Sequence, residues 1–228
     1  MAHANQYTGK NHLVRGVGIN DLPNEPIEWT ENGKRVRCPK YVLWNAILQR
    51  CYRPGKSEII AYKGVTVHPD WIYRSKFNEW LNSQPQNNWQ ELQIDKDLLV
   101  KGNKVYGPDT CCFLTNQENN VFRPLTSDRL GSAAFDKSKN YKKPWRAMIT
   151  QSGIKRNFGY FSTKEEAEFV AMREFMPYVI EIANANPHRF IRDAMYRWID
   201  DWKQELAVLE EKARVATSRN ALPLFEIK

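Results

Sequence analysis

The chain has 228 residues, 42% of them hydrophobic, with 34 Lys+Arg against 26 Asp+Glu and a net charge of +8. That hydrophobic share excludes a disordered chain, and no apolar run approaches the ~18 residues that a membrane span requires. The opening MAHANQYTGKNH has no stretch suited to a signal peptide, so the expected compartment is the cytoplasm, and the positive balance favours an anionic partner, nucleic acid first.

Residues 1–90 read as a helical and irregular region. Gly, Pro and Asn recur through the first ~35 residues, and Asn32-Gly33 centres a tight turn. Pro39 opens a helix whose Tyr41, Trp44, Ile47, Leu48, Cys51 and Tyr52 share one face. A short strand around Gly64–Val67 comes next, then a helical piece carrying Trp71, Phe77, Trp80 and Leu81, then a loop from Ser83 to Gln90. Cys38, Cys51, Cys111 and Cys112 lack paired CxxC spacing, which favours buried free thiols over a structural zinc site.

Residues 91–127 hold a strand ending near Asp95, a turn-rich loop over Val100–Thr110, an apolar strand at Cys111–Leu114, and a short helix that Thr115 and Glu118 would cap. Residues 128–186 change character. Trp145 onward and Ile154 onward form a hairpin turning at Ser152-Gly153. Thr163 and Glu166 make a capping box for a helix with Phe169, Met172, Met176, Val179, Ile180 and Ala183 on one face, which Pro177 should kink. Residues 187–228 carry a last helix, from about His188 to about Ala216, with Ile191, Met195, Trp198, Trp202, Leu206, Leu209 and Ala213 in a stripe. That stripe would pack on the body or pair with a second copy. The expected fold class is α+β.

Between Asp136 and Tyr160 lie Lys137, Lys139, Lys142, Lys143, Arg146, Lys155 and Arg156 against one acid, a net +6. Strand alternation sends Trp145, Ala147 and Ile149 towards the next helix. It sends Arg146, Met148 and Thr150 the other way, joined by Lys155 and Asn157. A flat basic sheet backed by a helix suits the major groove of double-stranded DNA: Arg and Asn read base edges and rim lysines hold phosphates.

The chain carries two family resemblances. Asp95, Gly102-Asn103-Lys104, Cys112-Phe113-Leu114-Thr115 and Asn119 sit in the order and spacing of the HNH homing-endonuclease motif, over Leu92–Asn120. The resemblance implies a ββα-metal unit in which Asp95 and Asn119 hold Mg²⁺ or another divalent cation. The ion would stabilise charge building on a phosphate while a neighbouring histidine activates water. Here the histidine position is Lys96. A lysine side chain is ordinarily an ammonium at neutral pH and accepts no proton, so the catalytic candidates are Asp95, Lys96 itself if a dry pocket lets it act as a base, and Asp97, with the more distant His68 as a further stand-in. If the site is degenerate, no cofactor is expected.

The pattern W-R-A-x-I…G-x-K-R-x-F-G-Y-F-x-T-x-E-E-A, within Gly131–Ile180, resembles the APETALA-type (ethylene-response) DNA-binding domain: a three-stranded antiparallel sheet packed on a helix. It implies base-facing roles for Arg146, Met148, Thr150, Lys155 and Asn157. Phage HNH proteins fused to this domain combine both features, and WNAILQRCY and YKGVTV resemble their N-terminal part. The expected function is a phage-type DNA-binding protein in a bacterial host cell, with metal-dependent DNA cleavage (an endonuclease, a hydrolase). The alternative is a catalytically inactive regulatory or host-blocking DNA-binding protein in which Lys96 has replaced the base. A third reading gives the C-terminal helix a host protein, or a second copy, as partner.

Overall fold

The computed structural model describes residues 13–53, 55, 62–122, 132–137 and 142–221. It is mixed α+β, built of small sheets and a helix pair. Where the sequence suggests divisions near residues 90, 127 and 186, the contacts gather the chain into two compact units, Met1–Asn116 and Gln117–Lys228.

In the first unit, β1 (Glu28–Glu31) and β2 (Lys34–Arg37) form an antiparallel hairpin. Asn32 and Gly33 both take positive φ, 51° and 74°, the turn whose twist matches that of the strands. Pro39 starts α1 (Pro39–Tyr52), which buries Trp44, Ile47 and Leu48. A short strand, β3 (Thr66–Val67), leads through a 3₁₀ turn at Pro69–Ile72 into α2 (Arg74–Ser83). Then come β4 (Gln93–Asp95), β5 (Val105–Tyr106) and β6 (Cys112–Leu114). β3 pairs parallel with β5, and β4 pairs antiparallel with β6, Asp95 facing Cys112 across the ladder.

Aromatic rings fill this unit. Trp71 lies 5.0 Å from Phe77, edge to face, and 4.5 Å from Trp80, which in turn lies 5.6 Å from Phe113. Rings of this size dominate core energetics. The Trp44 indole N–H donates to the Trp71 carbonyl at 2.7 Å, so one of the buried polar groups is satisfied within the core. Gly18 sits so close to α1 that an added Cβ would lie 2.9 Å from the Trp44 ring and overlap Leu48.

The second unit begins within α3 (Asn116–Val121). Three strands come after it, β7 (Ser132–Phe135), β8 (Trp145–Gln151) and β9 (Ile154–Phe161), in the antiparallel order β7-β8-β9. The β8–β9 turn again uses two positive φ values, Ser152 at 48° and Gly153 at 79°. α4 (Lys164–Ala185) starts at the expected capping box. Thr163 Oγ1 accepts from Glu166 N–H, and the Glu166 carboxylate accepts from Thr163 N–H, each at 3.1 Å. α4 continues through Pro177 as one helix.

α5 (Arg189–Ala221) extends past the expected end near Ala216. It runs antiparallel to α4, tied at both ends: Tyr196 Oη donates to Asn184 Oδ1 and Thr217 Oγ1 to Glu166 Oε1, each at 2.7 Å. Its stripe packs on the body of this unit, with Ile191, Met195, Trp198, Trp202 and Ala213 buried. Phe122 stacks on Trp202, rings 5.5 Å apart. Glu118, expected as a capping partner, is buried and accepts from Asn186 Nδ2 at 2.6 Å. Among the described residues, no helix is long and apolar enough to cross a membrane.

Candidate nucleic-acid interface

Two regions bear the residues singled out by the sequence. The first is the loop between β4 and β5. Asp95, at the end of β4, is buried, and its Oδ1 accepts from Asp97 N–H at 2.9 Å and Leu98 N–H at 2.7 Å. Burial raises its pKa from the ordinary aspartate value, and these two N–H donors oppose that rise. Lys96 is also buried. Its ammonium donates to Asp97 Oδ1 at 2.6 Å and to the Asn103 carbonyl at 3.2 Å. Asn103 closes the loop: Nδ2 donates to the carbonyls of Lys96 and Val105, and Oδ1 accepts from Val105 N–H.

These bonds decide how well the loop suits a divalent cation. Asp97 Oδ1 is held by the Lys96 ammonium, and Asp95 Oδ1 is held by the two N–H donors of the turn. Among the described residues, no group of three or more His, Cys, Asp and Glu side chains could hold a metal. Asn119 lies on α3, at the start of the second unit, and carries hydrogen-bond or electrostatic interactions. His68 caps the 3₁₀ turn, with Nδ1 accepting from Asp70 N–H at 3.2 Å.

The groups around this loop give a pH test. Burial pushes the thiols of Cys51 and Cys111 up to about 12 and raises the Tyr106 phenol. All three are held neutral in the fold, whereas an unfolded thiol ionises near its ordinary value of 9.0. The folded pKa is the higher one, so the contribution is intact below pH ~9 and is lost as pH climbs towards ~12. For Cys111 alone, the slope is about 1.4 kcal/mol per pH unit in that window. Urea unfolding midpoints should be level to pH ~8.5 and fall above ~9, less steeply in Cys111→Ala. Midpoints unchanged at pH ~10.5 would contradict this burial.

The second region is the three-stranded sheet. Directly paired residues of an antiparallel ladder share a face. Met148 pairs with Asn157 and Thr150 with Lys155, while Arg146 pairs with Tyr160 and Ala134. Arg146, Met148, Thr150, Lys155 and Asn157 therefore share one face, as the alternation implies. Ala147 and Ile149, on the other, are buried on the side that α4 covers. Arg156 pairs with Ile149 and so belongs to that second face, apart from the residues with which the sequence groups it.

Lys137, Lys142 and Lys143 are exposed in the β7–β8 connection, at the end of the sheet remote from the Ser152-Gly153 turn. Lys139 lies outside the described residues. Positive charge is thus spread along β8, whose seven residues span about 20 Å.

Three features were not anticipated. Arg146 Nε is buried without a hydrogen-bond partner among the described residues. A register shift lies between Arg146 and Met148, which brings Tyr160 to the basic face. The turn is also latched to α4 and α3: Tyr178 Oη accepts from Ser152 N–H and from Gln117 Nε2, each at 3.0 Å, and these donors lower its pKa although burial acts to raise it. A glycine inside a strand pattern was the available signal for the shift.

No family model, curated protein or solved structure matches the chain.

Proposed function

We propose that the protein binds double-stranded DNA through the open face of the β7–β9 sheet, and that the loop after Asp95 serves to build the fold without cleaving DNA. The observation that carries the reading is the ladder register, which aligns Arg146, Met148, Thr150, Lys155 and Asn157 on the face turned away from α4. Arginine and asparagine supply the donors that meet purine edges, and the flanking lysines supply phosphate contacts. In the Asp95 loop, Lys96 provides from the chain itself the positive charge that a divalent cation would bring, and it is bonded to Asp97.

The test uses the full chain with a random-sequence duplex and, separately, supercoiled plasmid with Mg²⁺ or Mn²⁺. Five phosphate-directed cations would give a log–log salt slope of about −4.5 and a several-hundred-fold loss of affinity between about 50 and 200 mM salt. The plasmid should stay supercoiled. No retention at low salt would sink DNA binding. Nicking that disappears in Asp95→Ala would overturn the non-cleaving part and restore the endonuclease reading.

A further inference from the structure

We infer that Tyr160 is a sequence-reading residue of this face, placed there by a β-bulge and meeting a thymine methyl beside the base pair that Arg146 engages. The inference rests on the DNA-binding reading above.

Strict alternation from Lys155 and Asn157 would turn Tyr160 away from the basic face. The ladder does otherwise. Asn157 pairs with Met148, but the next pair on that face is Tyr160 with Arg146. Phe158 and Gly159 together oppose the single residue Ala147, which is a bulge. Gly159 adopts φ +116°, a value that favours glycine, and its N–H donates to Asn157 Oδ1 at 3.1 Å. The side-chain oxygen of Asn157 thus holds the bulge that sets Tyr160, which makes Asn157 a positioning residue as well as a face residue.

Around Arg146 the result is asymmetric. On one side stands the half-buried Tyr160 ring, on the other the methyl group of Ala134. The Arg146 Nε is buried with no acceptor among the described residues, a donor that the described fold leaves unpaired. Directly paired residues place their Cβ atoms about 4.5–5.5 Å apart, between one and two of the ~3.4 Å steps between stacked bases. Two such side chains therefore address neighbouring base pairs. Arginine suits guanine O6 and N7, and an apolar surface beside it suits the C5-methyl group that marks thymine.

The experiment selects duplexes from a randomised pool with the wild-type chain, then replaces each thymine of the enriched site by deoxyuracil, which lacks only the methyl group. At one thymine the replacement should weaken wild-type binding about five-fold, leave Tyr160→Ala unaffected, and still weaken Tyr160→Phe. If Tyr160→Ala melts without a cooperative transition, Tyr160→Gln, a long polar side chain with no methyl group to meet thymine, carries the same comparison. Equal deoxyuracil effects in wild type and variant, or none at any thymine, would overturn the role of Tyr160 while leaving DNA binding standing. A wild-type chain that retains no duplex would instead defeat the underlying reading.

Discussion

Arg74→Ala should destabilise the first unit by about 3 kcal/mol, within the range for truncating a large, fully buried side chain to alanine. The Arg74 side chain is fully buried at the start of α2. Its Nη1 donates to Asn20 Oδ1 at 3.1 Å and to the Glu25 carbonyl at 3.0 Å, Nη2 reaches the Glu25 carboxylate at 3.3 Å, and the guanidinium lies over the Tyr41 ring. One side chain thereby fastens the irregular segment before β1 to both helices of the unit. Alanine would leave a cavity and strip Asn20 and the Glu25 carbonyl of donors. Glu25 is over half exposed, so its carboxylate can be rehydrated, which keeps the loss near the low end. Arg74→Met should fall between alanine and wild type, because it fills the volume without leaving a charge. Urea denaturation followed by far-UV circular dichroism measures the series. An Arg74→Ala change under about 1 kcal/mol, the worth of one ordinary hydrogen bond, would mean that the guanidinium network does not hold the segment.

Elements fixed by local chemistry were legible before the structure. The Asn32-Gly33 and Ser152-Gly153 turns announce themselves through residues that tolerate positive φ. The Thr163–Glu166 box announces α4 through spacing alone. The sheet face was also legible as far as Asn157, because a period of two needs no knowledge of neighbours. Beyond Asn157 that logic fails: one extra residue inverts every later side chain, and the inversion depends on the Asn157–Gly159 bond rather than on hydrophobic pattern. Nonlocal pairings were equally hidden. Nothing in the sequence around Arg74 announces that Asn20 and Glu25, far earlier in the chain, fold onto it. Glu118 sits at capping-box spacing, but that spacing does not disclose the bond its carboxylate makes to Asn186, 68 residues away. The Lys96–Asp97 pair is adjacent in sequence, yet only the path of the loop and its Asn103 clasp show that they bond to each other.

The double variant Arg146→Ala with Lys155→Ala should lower affinity for a selected duplex about 100-fold. A guanidinium bidentate to guanine is worth about 1–3 kcal/mol, or roughly 5- to 150-fold, and its loss should relax preference at one base pair. Lys155, exposed near the turn on the same face, acts on phosphate, so its removal should weaken binding to all sequences alike and reduce the salt slope by about 0.9. The two contacts involve different DNA groups, so their effects should multiply. Arg156 supplies the internal control. It adjoins Lys155 in sequence and carries the same charge, but it pairs with Ile149 on the α4 side of the sheet. Arg156→Ala should therefore cost less than about three-fold, the effect of a distant charge screened by salt. Titration of a labelled duplex at several salt concentrations separates the three variants. If Arg156→Ala weakens binding as much as Lys155→Ala, net charge rather than one face drives association. If Arg156 proves dispensable and Lys155 does not, the ladder register has identified the side of the sheet that meets DNA.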